Sequence, residues 1–246
     1  MAATLYLIPT PLGPASPGAG LPAETLAALR PLRHFVVENA KTARAFLKAA
    51  GTDLPLQQLD LRELNEHTPA AALSALLQPL RDGHDVGLLS EAGCPALADP
   101  GAPLVRLAHQ QRIRVKPLIG PSSIVLALMA SGLIGQRFAF HGYLPAKPEA
   151  RAAALKALER RAEQDDSTQI FIETPYRNPA MLAALASECR PDTEFCVACD
   201  LSLASEFIHS GRIGDGLGHL PDLNKRPCVF LLYRPGSGSA KTPVDR

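Results

Sequence analysis

The sequence predicts an α/β protein of two domains, and three observations predict it. Short apolar strands alternate with amphipathic helices through the first half, the pattern of a parallel sheet built from strand-helix-strand units. Beyond about residue 136 strand-heavy runs take over, which fits a mixed α+β unit. The chain has 246 residues, enough for one large domain or two smaller ones, and the change in pattern falls near 118–136. The expected divisions are a parallel-sheet N-terminal domain over 1–118, a mixed-sheet C-terminal domain over 119–234, and a flexible tail, rich in Gly, Ser and Pro, over 235–246.

Each element has its own signal. "TLYLIP" (4–9) is an apolar strand, and "AETLAALRPL" (23–32) a helix with Pro22 near its start. "RHFVVEN" (33–39) is a second strand. "AKTARAFLKAA" (40–50) is a helix capped by Asn39 and stopped by Gly51. A weaker extended piece covers "LPLQQLD" (54–60), and Thr68 and Pro69 start a helix running to Leu80. "DVGLLSE" (85–91) is a strand, "APLVRLAHQQ" (102–111) a helix, and "RVKPLI" (114–119) a strand that Pro117 moves toward a sheet edge or an early end. "GPSSIVLALMASG" (120–132) is a nearly all-apolar helix, capped by Ser122 or Ser123 and ended by Gly132. In the second half "RFAFHG" (137–142) is a strand, followed by a polar loop and a long charged helix over 149–163. "TQIFIET" (168–174) is a strand, and Asn178-Pro179 starts a helix to Cys189. "EFCVACD", "EFIHSGRI" and "PCVFLLYR" are strands of a more antiparallel sheet.

Composition removes several function classes. The chain is 46% apolar and 20% charged, ordinary for a globular protein, and its formal net charge is +1. No global basic field recruits nucleic acid, so any RNA contact needs a local patch. The first residues lack a basic and then apolar leader pattern, and no run is long enough to cross a bilayer, which points to a cytoplasmic protein without a membrane partner. Five cysteines stand at 94, 189, 196, 199 and 228, an odd number that argues against a disulfide framework. Cys196 and Cys199 form a lone C-x-x-C, but no second ligand pair follows at zinc spacing. On a strand they would point to opposite faces, as small core residues, and no metal is expected.

"LLSEAGCPALADPG" (88–101) carries the functional question. It is a strand end rich in Gly, Ala and Pro, which lets a ligand approach the backbone. It has two acids and none of the lysine or Gly-rich signatures of a phosphate grip. In an open α/β sheet, ligands sit at the carboxyl ends of strands. Four loops meet that description: "PTPLG" (9–13), "ENAKT" (38–42), "SEAGCP" (90–95) and "GPSS" (120–123). A further cluster, "ETPYRN" (173–178), ends a strand in the second half. Taken singly, each has an ordinary structural reading, as a turn, a helix cap or a solvated rim charge. No G-x-S-x-G elbow surrounds Ser90 or Ser123, and the seven histidines show no paired ligand spacing. His141, ending the "FAFHG" strand, is a candidate to line a cleft.

The ordered motifs "LYLIPTPLG", "VVENAKTAR", "LLSEAGCPALADPG", "PLIGPSS", "FAFHGYLPAK" and "IFIETPYRN" resemble those of the tetrapyrrole methylase (class III) S-adenosylmethionine-dependent methyltransferases. Within that superfamily they are most similar to the ribosomal-RNA small-subunit cytidine ribose-2'-O-methyltransferase branch. The likeness runs from Thr4 to Tyr233. It implies two α/β domains with S-adenosylmethionine in a cleft between them, usually in a homodimer. It implies cofactor contacts at Pro9, Thr10, Pro11, Leu12 and Gly13, at Ser90, Glu91, Ala92 and Gly93, at Gly120, Ser122 and Ser123, and at Glu173 and Thr174. Backbone groups and a few acids suit a cationic sulfonium, an amino group and a ribose diol, which answers why the loop lacks a phosphate grip.

The chain departs from that branch at several points. "ENAKTA" stands where the branch carries "EDTRHT", keeping Glu38. "SEAGCP" replaces "SDAGTP", His141 enters "FHGYLP", and "ETPYR" replaces "ESPHR". The expected reaction is methyl transfer from S-adenosylmethionine to RNA by in-line displacement, with alignment as the main resource. Glu38, Lys41 and Glu173 are the candidates for base or polarising group. Lys41, Arg44, Lys147, Arg151 and Arg177 are the candidate phosphate contacts, with His141 beside them. Two rivals remain open: a tetrapyrrole or other small-molecule methyltransferase, and a non-catalytic S-adenosylmethionine-binding protein. Low net charge favours the first, the missing "GPGD" and "GDP" signatures disfavour it, and the altered "ENAKTA" loop suggests the second.

Overall fold

A computed structural model describes residues 3–14 and 16–236. Two units divide the chain at residues 122 and 123, and each carries its own five-stranded sheet. The tail expected from residue 235 lies, from Ser237 onward, outside the described residues.

The first unit holds β1 (Thr4–Ile8), α1 (Pro17–Gly20), α2 (Ala23–Leu29), β2 (His34–Val37), α3 (Ala40–Ala50), β3 (Asp60–Glu63), α4 (Leu73–Leu76), α5 (Gln78–Arg81), β4 (Val86–Leu89), α6 (Ala102–Gln110) and β5 (Arg114–Pro117). Its sheet order is β3-β2-β4-β1-β5, with every pairing parallel. The carboxyl ends of all five strands therefore share one rim. β4 is buried along its whole length because helices cover both faces of a parallel sheet. Gly87 sits in its middle for lack of space: a Cβ there would meet Ile8 Cδ1 and Phe35 Cδ1 at 2.8 Å. β5 ends at Pro117 and lies at the edge, where a residue without an N–H breaks no ladder.

Helix α3 forms as its sequence predicts. Asn39 Oδ1 accepts hydrogen bonds from the N–H groups of Lys41 and Thr42, and Gly51 closes the helix in the left-handed region at φ 75°. Two expectations need correction. The helix expected from Thr68 to Leu80 is broken into a 3-10 turn at Ala70–Ala72, then α4 and α5. Pro79 has no N–H to give the Ala75 carbonyl four residues back, and the guanidinium of Arg62 donates to that carbonyl instead, at 2.9 Å. The extended piece expected over 54–60 is a 3-10 turn at Leu56–Gln58, and the strand begins only at Asp60. β3 is a half-exposed edge strand, so its residues, "DLRE", carry no apolar run.

The second unit holds α7 (Ser123–Ser131), β6 (Phe138–Tyr143), α8 (Pro148–Asp165), β7 (Thr168–Glu173), α9 (Asn178–Glu188), β8 (Glu194–Cys199), β9 (Phe207–Arg212) and β10 (Cys228–Tyr233). The order is β6-β7-β10-β8-β9. β6 and β7 are parallel and the remaining pairs antiparallel, the mixed sheet that the strand-heavy sequence predicts. Leu155 and Leu158 of α8 and Met181 and Leu185 of α9 pack with Phe171, Phe195 and Phe230 in one apolar cluster. α7 packs against β8, β9 and β10. Cys199 belongs to the α8/α9 cluster, whereas Cys196, three residues earlier on β8, faces the other way, and both are fully buried. Burial pushes the Cys196 thiol up to about 12. Among the described residues no helix is long and apolar enough to cross a membrane, and no three His, Cys, Asp or Glu side chains gather as a metal site.

Candidate active site

The rim of the first sheet brings the four loops of that unit together. The loop after β1 and the loop after β4 are joined by a two-way backbone bridge. Thr10 N–H donates to Gly93 O at 2.9 Å, and Gly93 N–H to Thr10 O at 3.1 Å. Two buried hydroxyls reinforce the join, with Thr10 Oγ1 donating to Ser90 O and Ser90 Oγ to Gly93 O. Thr10 and Ser90 therefore shape the loop with their side chains. Gly93 adopts φ +75°, and a Cβ on it would stand 3.2 Å from Leu12 and 3.4 Å from the Pro121 carbonyl. That carbonyl also accepts from Cys94 Sγ, tying in the loop after β5. Gly120 lies flat on Pro9, where a Cβ would be 2.3 Å from the proline ring.

The loop after β2 joins through carboxylates. Glu38 Oε1 accepts the Glu91 N–H at 3.0 Å, and Thr42 Oγ1 donates to Glu91 Oε1 at 2.6 Å. Asp99 Oδ1 accepts from the N–H groups of Ala96 and Gly101, which folds the rest of the loop back. Burial pushes the carboxyl of Glu38 above its ordinary range. The nearby charges of Asp99 and Glu91 add to the rise, and the Glu91 N–H opposes it. Burial also raises Asp99. A cavity of about 460 Å3 opens beside these groups, lined by Thr10, Pro11, Gly13, Thr42, Phe46, Leu89, Ser90 and Glu91. A mostly apolar lining that includes one carboxylate, Glu91, suits a ligand with a flat apolar ring and a positive charge. A Gly93 Cβ would narrow the loop. The residues present thus fit S-adenosylmethionine, the donor that the sequence resemblance implies.

Asp99, Thr42 and Phe46 were not singled out by the sequence. Asp99 had a signal, its place in "ADPG" before a turn, while Phe46 read only as part of the apolar stripe of α3. Lys41 and Arg44 are exposed on the first turns of α3, and neither makes an ion pair with a described residue.

The other candidates lie in the second unit, and several differ from expectation. Glu173 ends β7 with its side chain fully buried. Its Oε1 accepts from Thr174 N–H and Arg177 Nε–H, and Arg177 Nη2 stands 2.6 Å away. Arg177 is thus the counter-ion of Glu173 and not a free phosphate contact, and the paired Oε1 is a poor proton acceptor. Glu173 Oε2 is buried without a hydrogen-bond partner among the described residues. Arg151, expected on the surface, is only 8% exposed, because it falls on the face of α8 that packs on the sheet. His141 Nε2 lies 2.7 Å from Gln169 Oε1. Gln169 turns its Nε2 toward Ser167, so His141 carries its proton on Nε2 and is held as a structural donor. Lys147 is exposed at the N-cap of α8 and makes no capping bond with its side chain. Ser123 opens α7. Asn178 is fully buried and donates to the carbonyls of Leu223 and Arg226, anchoring the loop before β10.

The family described as Tetrapyrrole (Corrin/Porphyrin) Methylases matches residues 4–215. A curated relative, ribosomal RNA small subunit methyltransferase I of Micromonospora olivasterospora, is 36% identical over 99% of this chain and 74% of its own length. The protein of that name from Escherichia coli O157:H7 is 32% identical over 94% of this chain and 77% of its own. Among solved structures, the methyltransferase CobJ superposes with a TM-score of 0.61 over 99% of this chain and 96% of its own, at 20% identity, which is a likeness of fold.

Proposed function

Because this chain belongs to the tetrapyrrole methylase family and is an S-adenosylmethionine-dependent methyltransferase, we propose that it methylates small-subunit ribosomal RNA, at a ribose 2'-hydroxyl of a cytidine. The observation that carries the RNA reading is the near full-length similarity, 36% over 99% of the chain, to a relative named for that substrate. The ribose position rests on the branch likeness of the six sequence motifs.

S-adenosylmethionine supplies an electrophilic methyl group on a sulfonium. The chain's own residues hold and orient it. The bridged loops Thr10–Gly13 and Ser90–Gly93 present backbone groups, and the carboxylates of Glu38, Glu91 and Asp99 set a negative potential that favours a cation. Alignment of donor and acceptor supplies most of the rate. A ribose hydroxyl is a weak nucleophile, and we infer that Glu38, whose carboxyl burial raises above its ordinary range, is the proton acceptor for it. Lys41, Arg44 and Lys147 are exposed cations fit to position phosphates locally, as a net charge of +1 requires.

A homodimer in the cytoplasm completes the reading. Met129 on α7 is 74% exposed and Tyr143 on the edge strand β6 is 59% exposed, apolar surface that a second copy would cover. A small-molecule acceptor is the alternative, favoured by the near-zero net charge. Incubating the protein with methyl-labelled donor, small-subunit particles and a porphyrinogen in parallel separates the two. Label in the ribosomal RNA is expected, and label only in the porphyrinogen would replace the RNA reading.

A further inference from the structure

Helix α8 places a charge where its pattern calls for an apolar side chain. Arg151, Leu155, Leu158 and Ala162 follow one another at helical spacing and are all buried, and the two leucines belong to the core cluster of the second unit. Arg151 is 8% exposed. Its guanidinium makes no ion pair and no hydrogen bond with any described residue, and Nε is buried without an acceptor. The other buried arginine, Arg234, is paired with Asp192 and Glu163, and the half-buried Arg177 and Arg226 are paired with Glu173 and Asp200. A guanidinium cannot shed its proton to escape burial. A largely enclosed guanidinium without a counter-charge is unfavourable, and an anion arriving at its uncovered terminal nitrogens would complete it.

The surroundings say what kind. A helical side chain slants toward the helix N-terminus, so Arg151 leans over the first turn of an 18-residue helix. That turn has N–H groups without intrahelical partners, Pro148 at its start, and the exposed ammonium of Lys147 as an N-cap with no side-chain bond. Glu149, exposed in the same turn, is the only acidic side chain within it. At the same end of the unit, since α8 leaves the carboxyl end of β6 and β7 runs parallel to β6, Glu173 keeps Oε2 buried and without a donor. An oxyanion is the group that the guanidinium of Arg151 and the free N–H groups of this turn would take, and the backbone of a single strand supplies one.

We propose that Arg151, Lys147 and the first turn of α8 form an oxyanion subsite that takes a backbone phosphate of the acceptor strand. This rests on the RNA reading above. The same chemistry would accept a carboxylate, such as the one on the donor's amino-acid end, so the test has separate arms. Arg151→Met keeps the length of the side chain and removes the charge; Arg151→Lys keeps the charge without the planar fork.

The first arm is melting of the full-length protein with inorganic phosphate. Wild type is expected to melt higher as phosphate rises, Arg151→Met to melt no lower than wild type without phosphate and to gain nothing from it. The second arm is binding of a short single-stranded small-subunit RNA across a salt series. Arg151→Met should bind about tenfold more weakly, with a salt slope smaller by about 0.7. Arg151→Lys should recover the slope but not the full affinity. The third arm is calorimetry with S-adenosylhomocysteine, whose affinity should stay unchanged. Loss of S-adenosylhomocysteine binding with RNA binding intact would overturn the assignment to the acceptor. Equal phosphate shifts in wild type and Arg151→Met would overturn the subsite itself. If wild type methylates no RNA, the function reading fails, while the phosphate arm still decides whether the subsite exists.

Discussion

Gly93 concentrates the demands of the site in one residue. Its φ of +75° is unfavourable for any side chain, and the space where a Cβ would go is bounded by Leu12 and the Pro121 carbonyl. Gly93→Leu should fold, since the strain is confined to one rim loop, and lose S-adenosylhomocysteine binding in calorimetry. Normal affinity in a folded variant would remove the donor from this loop. Glu38 gives a pH signature. Its carboxyl is raised in the folded protein, so the stability it contributes is complete at low pH, below its unfolded value, and is lost as pH rises through the raised folded value. In Glu38→Gln that pH-dependent term disappears, while the amide oxygen can still accept the Glu91 N–H. The stability of wild type relative to Glu38→Gln should therefore fall with rising pH across the acidic range and then level off. A pH-independent difference in urea melts at several pH values would show that Glu38 is an ordinary solvated acid. Gly93 was legible in the sequence because a small residue after a strand advertises a close approach. The Glu173–Arg177 pair was not, since two charges four apart read equally well as surface groups until the burial of a strand end is known. The burial of Arg151 was hidden for a similar reason: the length of the charged helix does not tell which of its faces meets the sheet.

Elements were legible where one local rule acted alone. Asn39 and Gly51 bound α3 as their chemistry predicts, and the central strands show as apolar runs. β3 escaped because an edge strand needs no apolar face, and the helix over 68–80 reads as continuous because the break that Pro79 forces before it is made good by a side chain of β3, Arg62. Gly87 shows how tightly the central sheet is drawn. Gly87→Ala would put a methyl group within 3 Å of Ile8 and Phe35, and both flanking side chains are fully enclosed. The cost should be about 1–3 kcal/mol, seen as a lower urea midpoint with an unchanged slope. A neutral substitution would mean that the sheet yields more readily than its packing implies.

At the scale of the whole molecule, the change from alternating helices and strands to a strand-heavy pattern is enough to reveal a parallel sheet and a mixed one, since periodicity and connection type follow directly from sequence. Function was less accessible to physics alone, because backbone-lined loops leave few side chains to recognise. The near-zero net charge sharpens the matter: an RNA enzyme of this composition must recognise its substrate locally and chemically rather than by its overall field. The most direct test of methyl transfer to a ribose is nucleoside analysis of small-subunit ribosomal RNA after reaction with this protein and S-adenosylmethionine, using RNA that lacks the modification. A new 2'-O-methylcytidine is expected, absent when Gly93→Leu protein is used. A methyl group found on a base, or no new methylated nucleoside with active donor-bound protein, would contradict it.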